Sequence, residues 1–298
     1  MGGYFGARLH DAGADVCLYE RDPEKVDIIA KQGLAVCEAD GSRRFVFPPI
    51  FCDITDAPPV GLVVLLVKSY HMPDAAKDIA RITACAPDIL SMQNGMGNLE
   101  TLADFFSRER LFYGVTYQAA YEEKAGNILH TGSGETFIAP LDPDRLPAAR
   151  EYATYLTRGG LVGEAVDASA LESLRWRKLL VNAAINPLSA IYRLRNGALI
   201  EDEAIRAEMA ELTQEGVAVA VSRGVRLEFA PVWQNILETC QKTAANRSSM
   251  LSDVEHGRRT EIDAINGSIV GFGAERGIAT TAHEHIIRRL KAQYPEQG

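Results

Sequence analysis

A change of pattern near the middle of the chain constrains its fold more than any other sequence feature. In the first half, short β-rich runs alternate with helical stretches. Residues 60–67 form an almost continuous apolar run, which is typical of a strand buried on both faces of a parallel sheet. From about residue 168 onward, long helical patterns dominate. The sequence therefore predicts an α/β domain with a doubly wound parallel sheet over residues 1–167, followed by an all-α domain over residues 168–298.

The finer pattern predicts the individual elements of both domains. In the first domain we expect helices at residues 4–11, 23–33 and 75–85, strands at residues 16–20, 60–67 and 88–92, and a β-meander that closes the sheet over residues 111–140. In the second domain we expect helices at residues 170–191, 204–223, 231–256, 261–276 and 282–293.

Charge and cysteine usage exclude several kinds of partner. The 31 Lys and Arg against 40 Asp and Glu give a net charge of −9, which disfavours binding to nucleic acid or to an anionic membrane. The longest apolar run is too short to cross a bilayer, and nothing in the sequence indicates export. The five cysteines are never in CxxC spacing, so they indicate reduced thiols and no metal site. We therefore expect a cytoplasmic protein without a metal.

The start of the chain resembles the second half of a dinucleotide-binding βαβ unit. Gly2 runs directly into a predicted helix and would be the third glycine of G-x-G-x-x-G, where a missing side chain lets helix and strand pack closely. Glu20 lies 18 residues after Gly2, where an acid would bind a ribose 2′-hydroxyl, whereas Arg21 could pair with a 2′-phosphate. The first strand and first two glycines of such a unit are absent, so an N-terminal turn is the alternative interpretation.

A stripe of polar residues on an apolar helix is the most informative local pattern. Lys178, Asn182 and Asn186 recur at i, i+4 and i+8, which places them on one face of the predicted helix. Burial of this face would lower the pKa of Lys178 towards neutrality, a useful property for a proton donor. The alternative is a solvated face, although asparagine is a poor helix former at such positions.

Three other segments contain candidate ligand-binding residues. Asn246 and Ser249 share one helical face and offer donors for a carboxylate, or they belong to an ordinary polar surface. Residues 260–263 resemble a capping box, which would place Glu261 in the first turn of a helix. Residues 91–97 follow a strand at the end where open α/β sheets bind ligands, or they form an Asn-Gly turn.

Together these segments resemble the ketopantoate reductases (2-dehydropantoate 2-reductases). The matching motifs occur in the family order across nearly the whole chain. They are Gly2-x3-Gly6-Ala7-Arg8-Leu9, Leu66-Val67-Lys68, Gln93-Asn94-Gly95-Met96-Gly97, Gly126-x-Ile128-x-His130-x-Gly132-x-Gly134, Trp176-Arg177-Lys178 through Asn182 to Asn186-Pro187-Leu188, Asn196-Gly197, Ser248-Ser249-Met250-Leu251 and Thr260-Glu261-Ile262-Asp263.

The resemblance implies a Rossmann-like NADP-binding domain, whose first strand is expected before Met1, and a helical substrate domain. It implies that Lys178 protonates the substrate carbonyl oxygen as hydride arrives from the nicotinamide, and that Glu261 bonds to cofactor and substrate hydroxyls. With Asn246 added from its local pattern, the expected substrate-binding residues are Asn94, Asn182, Asn186, Asn196, Asn246 and Ser249. The expected cofactor-binding residues are Gly2, Arg21, Lys68, Asn94, Ala120 and Glu261.

The sequence thus predicts an NADPH-dependent reductase that converts ketopantoate to pantoate. We expect Arg21 to outweigh Glu20 and favour NADPH over NADH, and a homodimer is among the expected assemblies. One alternative is a reductase of another 2-oxo or 3-oxo acid. Another is an impaired nucleotide-binding protein, because the glycine loop is incomplete. The presence of Lys178, Asn182 and Glu261 argues against the second alternative.

Overall fold

The computed structural model describes residues 1–38, 40–82 and 85–298, which divide into two compact units. The first unit comprises Met1–Gln93 and Asn98–Leu171, and the second comprises Asn94–Gly97 and Glu172–Gly298. The first unit is α/β and the second is helical, which confirms the predicted fold class. The short loop Asn94–Gly97 belongs to the helical unit although a strand of the first unit precedes it.

Three sheets organise the first unit. Its strands are β1 (Leu18–Tyr19), β2 (Leu34–Cys37), β3 (Arg43–Val46), β4 (Ile50–Phe51), β5 (Leu62–Leu65), β6 (Asp88–Ser91), β7 (Leu111–Thr116), β8 (Ala119–Lys124), β9 (Asn127–Gly132), β10 (Thr136–Pro140) and β11 (Gly163–Ala165). The largest sheet has the order β11-β10-β7-β6-β5, and β5, β6 and β7 run parallel within it. A second sheet has the order β3-β2-β9-β8, while β1 pairs with β4.

The expected meander over residues 111–140 is wrong in one respect. Only β7 and β10 join the largest sheet, whereas β8 pairs with β9 and β9 pairs with β2. Burial explains the division, because every residue of β7 is buried while β8 is largely exposed. A strand with one solvated face suits a sheet that is covered on one side only.

The helices of the first unit are α1 (Gly2–Asp11), α2 (Pro23–Gln32), α3 (Met72–Ala80), α4 (Asn98–Ala103) and α5 (Leu146–Arg158). The helix expected at residues 75–85 therefore begins earlier and ends at Ala80, and positions 83 and 84 lie outside the described residues. The strands expected at residues 16–20, 60–67 and 88–92 all form within these ranges and are shorter than expected.

The closest approaches of α1 to the strands occur at glycines other than the one expected. A Cβ atom at Gly6 would lie 2.5 Å from Leu18 Cδ2, and one at Gly3 would lie 2.7 Å from Ile128 Cδ1. At Gly2 a Cβ atom would meet only Leu66 Cβ at an ordinary 3.9 Å. The prediction that Gly2 provides the close approach is therefore wrong. The helix face that meets the strands runs through Gly3 and Gly6.

A buried polar cluster explains the His130 motif in structural terms. The ring of His130 stacks on Tyr4 of α1 with ring centroids 4.5 Å apart, and its Nδ1 lies 2.7 Å from Glu38 Oε2. Arg44 and Arg8 also bond to the Glu38 carboxylate. Burial raises the pKa of Glu38, but the hydrogen bonds from Arg44 and His130 outweigh it and leave the pKa below its usual value. This cluster ties α1 to β2, β3 and β9.

The second unit is built around a long apolar helix. Its helices are α6 (Ala168–Tyr192), which begins in the first unit, α7 (Glu203–Ser222), α8 (Phe229–Lys242), α9 (Ser249–Glu255), α10 (Ser268–Arg276) and α11 (Thr281–Gln293). Trp176, Leu180 and Ala184 of α6 recur every four residues and are fully buried in the core of this unit. Among the described residues, no helix is long and apolar enough to cross a membrane.

Two of the expected helices are interrupted. Residues 231–256 form α8 and α9 with a break at residues 243–248, because the Ser248 hydroxyl accepts the Leu251 N–H at 3.0 Å and starts a new helix. Residues 261–276 begin with the π-helical turn Asp263–Gly267 before α10. The expected capping box is wrong, since Asp263 pairs with Lys291 and the Thr260 hydroxyl has no hydrogen-bond partner among the described residues.

His283 on α11 makes the stability of the second unit sensitive to acid. Its side chain is fully buried, and its Nε2 lies 3.0 Å from the Leu212 carbonyl. Burial lowers the pKa of His283 to about 4 from its usual value of 6.5. The unfolded chain therefore binds this proton at a higher pH than the folded chain, and stability falls as the pH drops from 6.5 to 4.

We predict that His283→Gln flattens this pH dependence. The wild-type free energy of unfolding should lose about 3 kcal/mol between pH 7 and pH 4 through His283 alone, which is the shift multiplied by ~1.4 kcal/mol per pH unit. Urea titrations at several pH values measure the slope. His285→Gln, an exposed position on the same helix, is the matched control. Equal slopes for wild type and His283→Gln would contradict the prediction.

Candidate active site

The candidate site residues are distributed over both units. Gly2, Arg21, Lys68 and Ala120 lie in the first unit. The second unit contains Asn94, Lys178, Asn182, Asn186, Asn196, Asn246, Ser249 and Glu261. Every residue to which the sequence assigns a catalytic or substrate-binding role therefore belongs to the second unit.

Lys178 extends from an otherwise apolar stretch of α6. Its neighbours Leu179 and Leu180 are buried, and Lys178 itself is half-buried. Burial lowers the pKa of Lys178 to about 8 from 10.5, while the negative charge of Glu261 opposes the shift. The ammonium group therefore stays protonated at neutral pH but releases its proton far more readily than an exposed lysine. This is the property that a general acid requires.

Glu261 lies at the start of the segment that carries the π-helical turn. Its side chain is almost fully buried, and its carbonyl accepts the N–H of Ile265 at 3.0 Å. Because its charge acts on Lys178, Glu261 favours the protonated form of the lysine. The two residues that the sequence assigns to catalysis thus interact in the structure.

Asn186 and Ser249 come together across 63 residues of sequence. Asn186 is buried, and its Nδ2 donates to Ser249 Oγ at 3.4 Å. Ser249 is exposed on the first turn of α9, where Ser248 provides the helix cap. The Ser249 hydroxyl therefore has its own hydrogen to donate to a ligand. Asn182, one turn before Asn186 on α6, is half-buried.

Asn196 is held by a residue that the sequence did not indicate. Its Nδ2 donates to Thr243 Oγ1 at 2.8 Å, and its N–H donates to the Asn246 carbonyl at 3.1 Å. The Asn196 Oδ1 is buried and has no hydrogen-bond partner among the described residues, which is unusual for a buried acceptor. The side chain of Asn246 is exposed. Thr243 lies at the end of α8, and no local pattern distinguishes it from other helix-end threonines.

The loop containing Asn94 packs against the π-helical turn that follows Glu261. Met96 donates its N–H to the Ala264 carbonyl at 3.1 Å. Gly95 has a φ of +79°, and a Cβ atom there would lie 2.4 Å from the Ala264 oxygen. Glycine is therefore required at position 95 both for its backbone conformation and for the close approach. The half-buried Asn94 is thereby placed within the second unit.

The N-terminus of α1 has the features of an anion site. Its first turn contains no acidic residue and no side-chain cap, and Gly2 is exposed. The amino group of Met1 has its pKa lowered, mainly by burial, while Glu122 opposes and Lys68 adds to the effect. Lys68, three residues after the end of β5, therefore lies near the start of α1. Uncapped helix N–H groups beside a cation suit the pyrophosphate of a dinucleotide.

Arg21 is positioned at the end of β1 by two acids of α3. Its Nε donates to Asp78 Oδ2 at 2.9 Å, and its Nη1 donates to Asp74 Oδ2 at 3.4 Å. The Arg21 side chain nevertheless remains exposed. Glu20 has different partners, since its carboxylate accepts the Asp22 N–H at 3.2 Å and lies 3.6 Å from Lys25 Nζ.

Among the described residues, no group of His, Cys, Asp and Glu could hold a metal ion. Ala120, the remaining residue assigned to the cofactor, is half-buried on β8 opposite His130.

Comparisons with known proteins identify the same family over nearly the whole chain. The family model described as ketopantoate reductase PanE/ApbA matches residues 1–143, and its C-terminal counterpart matches residues 170–294. The chain is 31% identical to the 2-dehydropantoate 2-reductase of Archaeoglobus fulgidus, over 98% of this chain and 94% of that protein. It is 32% identical to the enzyme of the same name from Pyrococcus horikoshii, over 91% and 87% respectively.

Solved structures show the same fold. A PanE/ApbA family ketopantoate reductase from Ralstonia eutropha matches with a TM-score of 0.88 and 30% identity, covering 99% of this chain and 95% of that one. A ternary structure of D-mandelate dehydrogenase with NADH and anilino(oxo)acetate matches with a TM-score of 0.92 and 25% identity, covering 98% and 95%. The resemblance expected from the motifs is confirmed: the chain belongs to the ketopantoate reductase PanE/ApbA family of oxidoreductases.

Proposed function

We propose that this protein reduces ketopantoate to pantoate with NADPH, using Lys178 as the proton donor. The observation that carries the proposal is the half-buried Lys178, whose pKa is lowered to about 8 beside the negative charge of Glu261. The curated relatives named 2-dehydropantoate 2-reductase support the choice of substrate.

Ser249 and the asparagines of α6 provide the groups that a 2-oxo acid needs. The substrate carboxylate would accept a hydrogen bond from the Ser249 hydroxyl, which Asn186 Nδ2 holds from the other side. Asn182 stands between Lys178 and Asn186 on the same helix face, where its amide can bind a substrate oxygen. The stripe on α6 therefore orients the substrate carbonyl towards Lys178.

The proton step uses the protonated form of Lys178. When bound, the reduced nicotinamide supplies a hydride to the carbonyl carbon of the substrate. Lys178 donates a proton from Nζ to the carbonyl oxygen as that oxygen becomes an alkoxide, and the neutral lysine then regains a proton from solvent. Glu261 keeps the ammonium group charged until the step occurs.

For the cofactor, we propose that the N-terminus of α1 and Lys68 bind the pyrophosphate and that Arg21 binds the 2′-phosphate of NADPH. The support is the uncapped first turn of α1, the cation beside it and the exposed guanidinium at the end of β1. The ion pairs with Asp74 and Asp78 offset part of the Arg21 charge. These ion pairs therefore reduce the difference in affinity between NADPH and NADH.

We also propose that the enzyme acts in the cytoplasm. All five cysteines are free thiols in the structure, and four of them are not buried. Accessible thiols persist unpaired in a reducing compartment.

A second candidate function is the reduction of a different 2-oxo acid with NADH. The similarity to a D-mandelate dehydrogenase bound to NADH favours it, as does the acidic surrounding of Arg21. Initial rates with ketopantoate and phenylglyoxylate, each measured with NADPH and with NADH, distinguish the two. A kcat/KM that is higher for phenylglyoxylate with NADH would replace the first candidate with the second.

We predict that Lys178→Ala lowers kcat for ketopantoate reduction by about 10²–10⁴-fold, the usual contribution of a general acid. Wild-type kcat/KM should fall above pH 8, since Lys178 must be protonated to act. The variant should lack this alkaline limb. Lys242→Ala, an exposed lysine on α8, is the control and should behave as wild type. Near-normal turnover by Lys178→Ala would exclude Lys178 as the proton donor.

We further predict that Arg21→Ala weakens NADPH binding by about 1.5–3 kcal/mol, the range for a hydrogen bond to a charged group, with little change for NADH. Fluorescence titration with each cofactor measures both affinities. The matched control is Arg81→Ala, because Arg81 is another exposed arginine at the end of α3 that pairs with an acid. Equal losses for the two cofactors would show that Arg21 does not read the 2′-phosphate.

A further inference from the structure

Helix α6 contains a proline immediately after Asn186. Pro187 has no N–H, and its ring crowds the carbonyl four residues earlier, so the Ala183 carbonyl lacks its usual helical donor. Ala183 is buried, and a buried carbonyl without a partner is destabilising. The helix that carries Lys178 therefore needs a donor from another part of the unit.

Asn266 provides that donor. Its Nδ2 lies 3.0 Å from the Ala183 oxygen and 3.1 Å from His283 Nδ1. The His283 Nε2 faces the Leu212 carbonyl, which can only accept, so Nε2 carries the ring hydrogen and Nδ1 is an acceptor. Both hydrogens of the Asn266 amide are thus used, and its orientation follows from the network. The side chain is fully buried.

Asn266 lies in the π-helical turn Asp263–Gly267, which begins two residues after Glu261. Such turns are rare and occur frequently at functional sites. Ala183 lies directly after Asn182 on α6, between Lys178 and Asn186. One buried hydrogen bond therefore connects the segment that carries Glu261 to the helix that carries Lys178.

We propose that Asn266 is a positioning residue for the Lys178–Glu261 pair, an inference that rests on the proposed function of these two residues. Because Pro187 has no N–H, the Ala183 carbonyl can accept a hydrogen bond from Asn266. This hydrogen bond holds the segment that contains Glu261 against α6. The role that we propose for Asn266 involves no contact with the substrate or the cofactor. Its effect on the reaction passes through the distance between the Lys178 ammonium and the Glu261 carboxylate.

The test compares the electrostatic coupling of Lys178 and Glu261 with and without Asn266. NMR titration of the lysine ¹³Cε signals reports the pKa of Lys178, and Glu261→Gln removes the charge that raises it. In the wild-type background we expect Glu261→Gln to lower the pKa of Lys178 by about 1 unit. In the Asn266→Ala background the same change should produce less than half that shift. An undiminished shift would overturn the proposal.

Kinetics give an independent readout. Asn266→Ala should lower kcat for ketopantoate reduction by about 10–100-fold, as expected for a small misplacement of a catalytic group. The KM for ketopantoate should change little, because the hydrogen bond between Asn186 and Ser249 involves neither Ala183 nor Asn266. Thr213→Val is the matched control: its hydroxyl also donates to a buried helix carbonyl, that of Met209, but does not connect the catalytic segments. Thr213→Val should keep wild-type kcat and coupling.

A double variant separates positioning from stability. Pro187→Ala restores an N–H that can donate to Ala183, so Asn266→Ala combined with Pro187→Ala should recover the part of the melting temperature that Asn266→Ala loses through the Ala183 carbonyl. The part lost through His283 Nδ1 is not recovered. We expect the coupling and kcat to remain low in the double variant, since the link to the π-helical turn is still missing. If the coupling and kcat of the double variant returned to wild-type values together with its stability, the only role of Asn266 would be to donate a hydrogen bond to the Ala183 carbonyl. If Asn266→Ala alone does not fold, the double variant decides by the same criterion.

The titration needs no substrate, so the two proposals can fail separately. A reduced coupling in a protein that does not reduce ketopantoate would retain the role of Asn266 and remove the proposed function. If the enzyme reduces ketopantoate but Asn266→Ala leaves the coupling unchanged, the proposed function is retained and the role of Asn266 is removed.

Discussion

The burial of one ammonium group governs the arrangement of the helical unit. Trp176, Leu180 and Ala184 require α6 to lie in the core, and Lys178 is carried into a poorly hydrated environment with them. Removing a charge from water is costly unless an opposite charge is nearby. Glu261 provides that charge, and the compromise leaves the pKa of Lys178 at about 8. The stabilisation of the helix and the acidity of Lys178 thus have the same physical origin.

Two departures from regular helix geometry occur near Lys178 and Glu261. The second provides the hydrogen-bond donor that the first removes. Pro187 removes one backbone donor from α6, and the π-helical turn places Asn266 where it replaces that donor. The same turn presents the Ala264 carbonyl to Met96 and thereby holds the loop containing Asn94. Local irregularity is destabilising on its own, and it is often retained at functional sites for the geometry that it produces.

The sequence predicts features that depend on local periodicity, but it does not predict contacts between residues that are far apart along the chain. Helical spacing correctly places Lys178 and Asn186 on one helix, and the apolar strands correctly indicate the α/β unit. The contact of Asn186 with Ser249 spans 63 residues, and the support of Asn196 by Thr243 spans 47, so no local pattern could reveal either. The break between α8 and α9 is different. Ser248 is a recognisable helix cap that the apolar periodicity on either side obscured.

Burial beside Glu261 makes Lys178 an unusually acidic lysine, and this acidity can be measured by titrating Lys178 itself. Selective ¹³Cε labelling of lysine and comparison with Lys178→Ala identify its signal in the ligand-free protein. We expect a titration midpoint near 8, more than two pH units below the ordinary value of 10.5. A midpoint at or above 10 would contradict it, because the ammonium would then be solvated and no better a proton donor than any surface lysine.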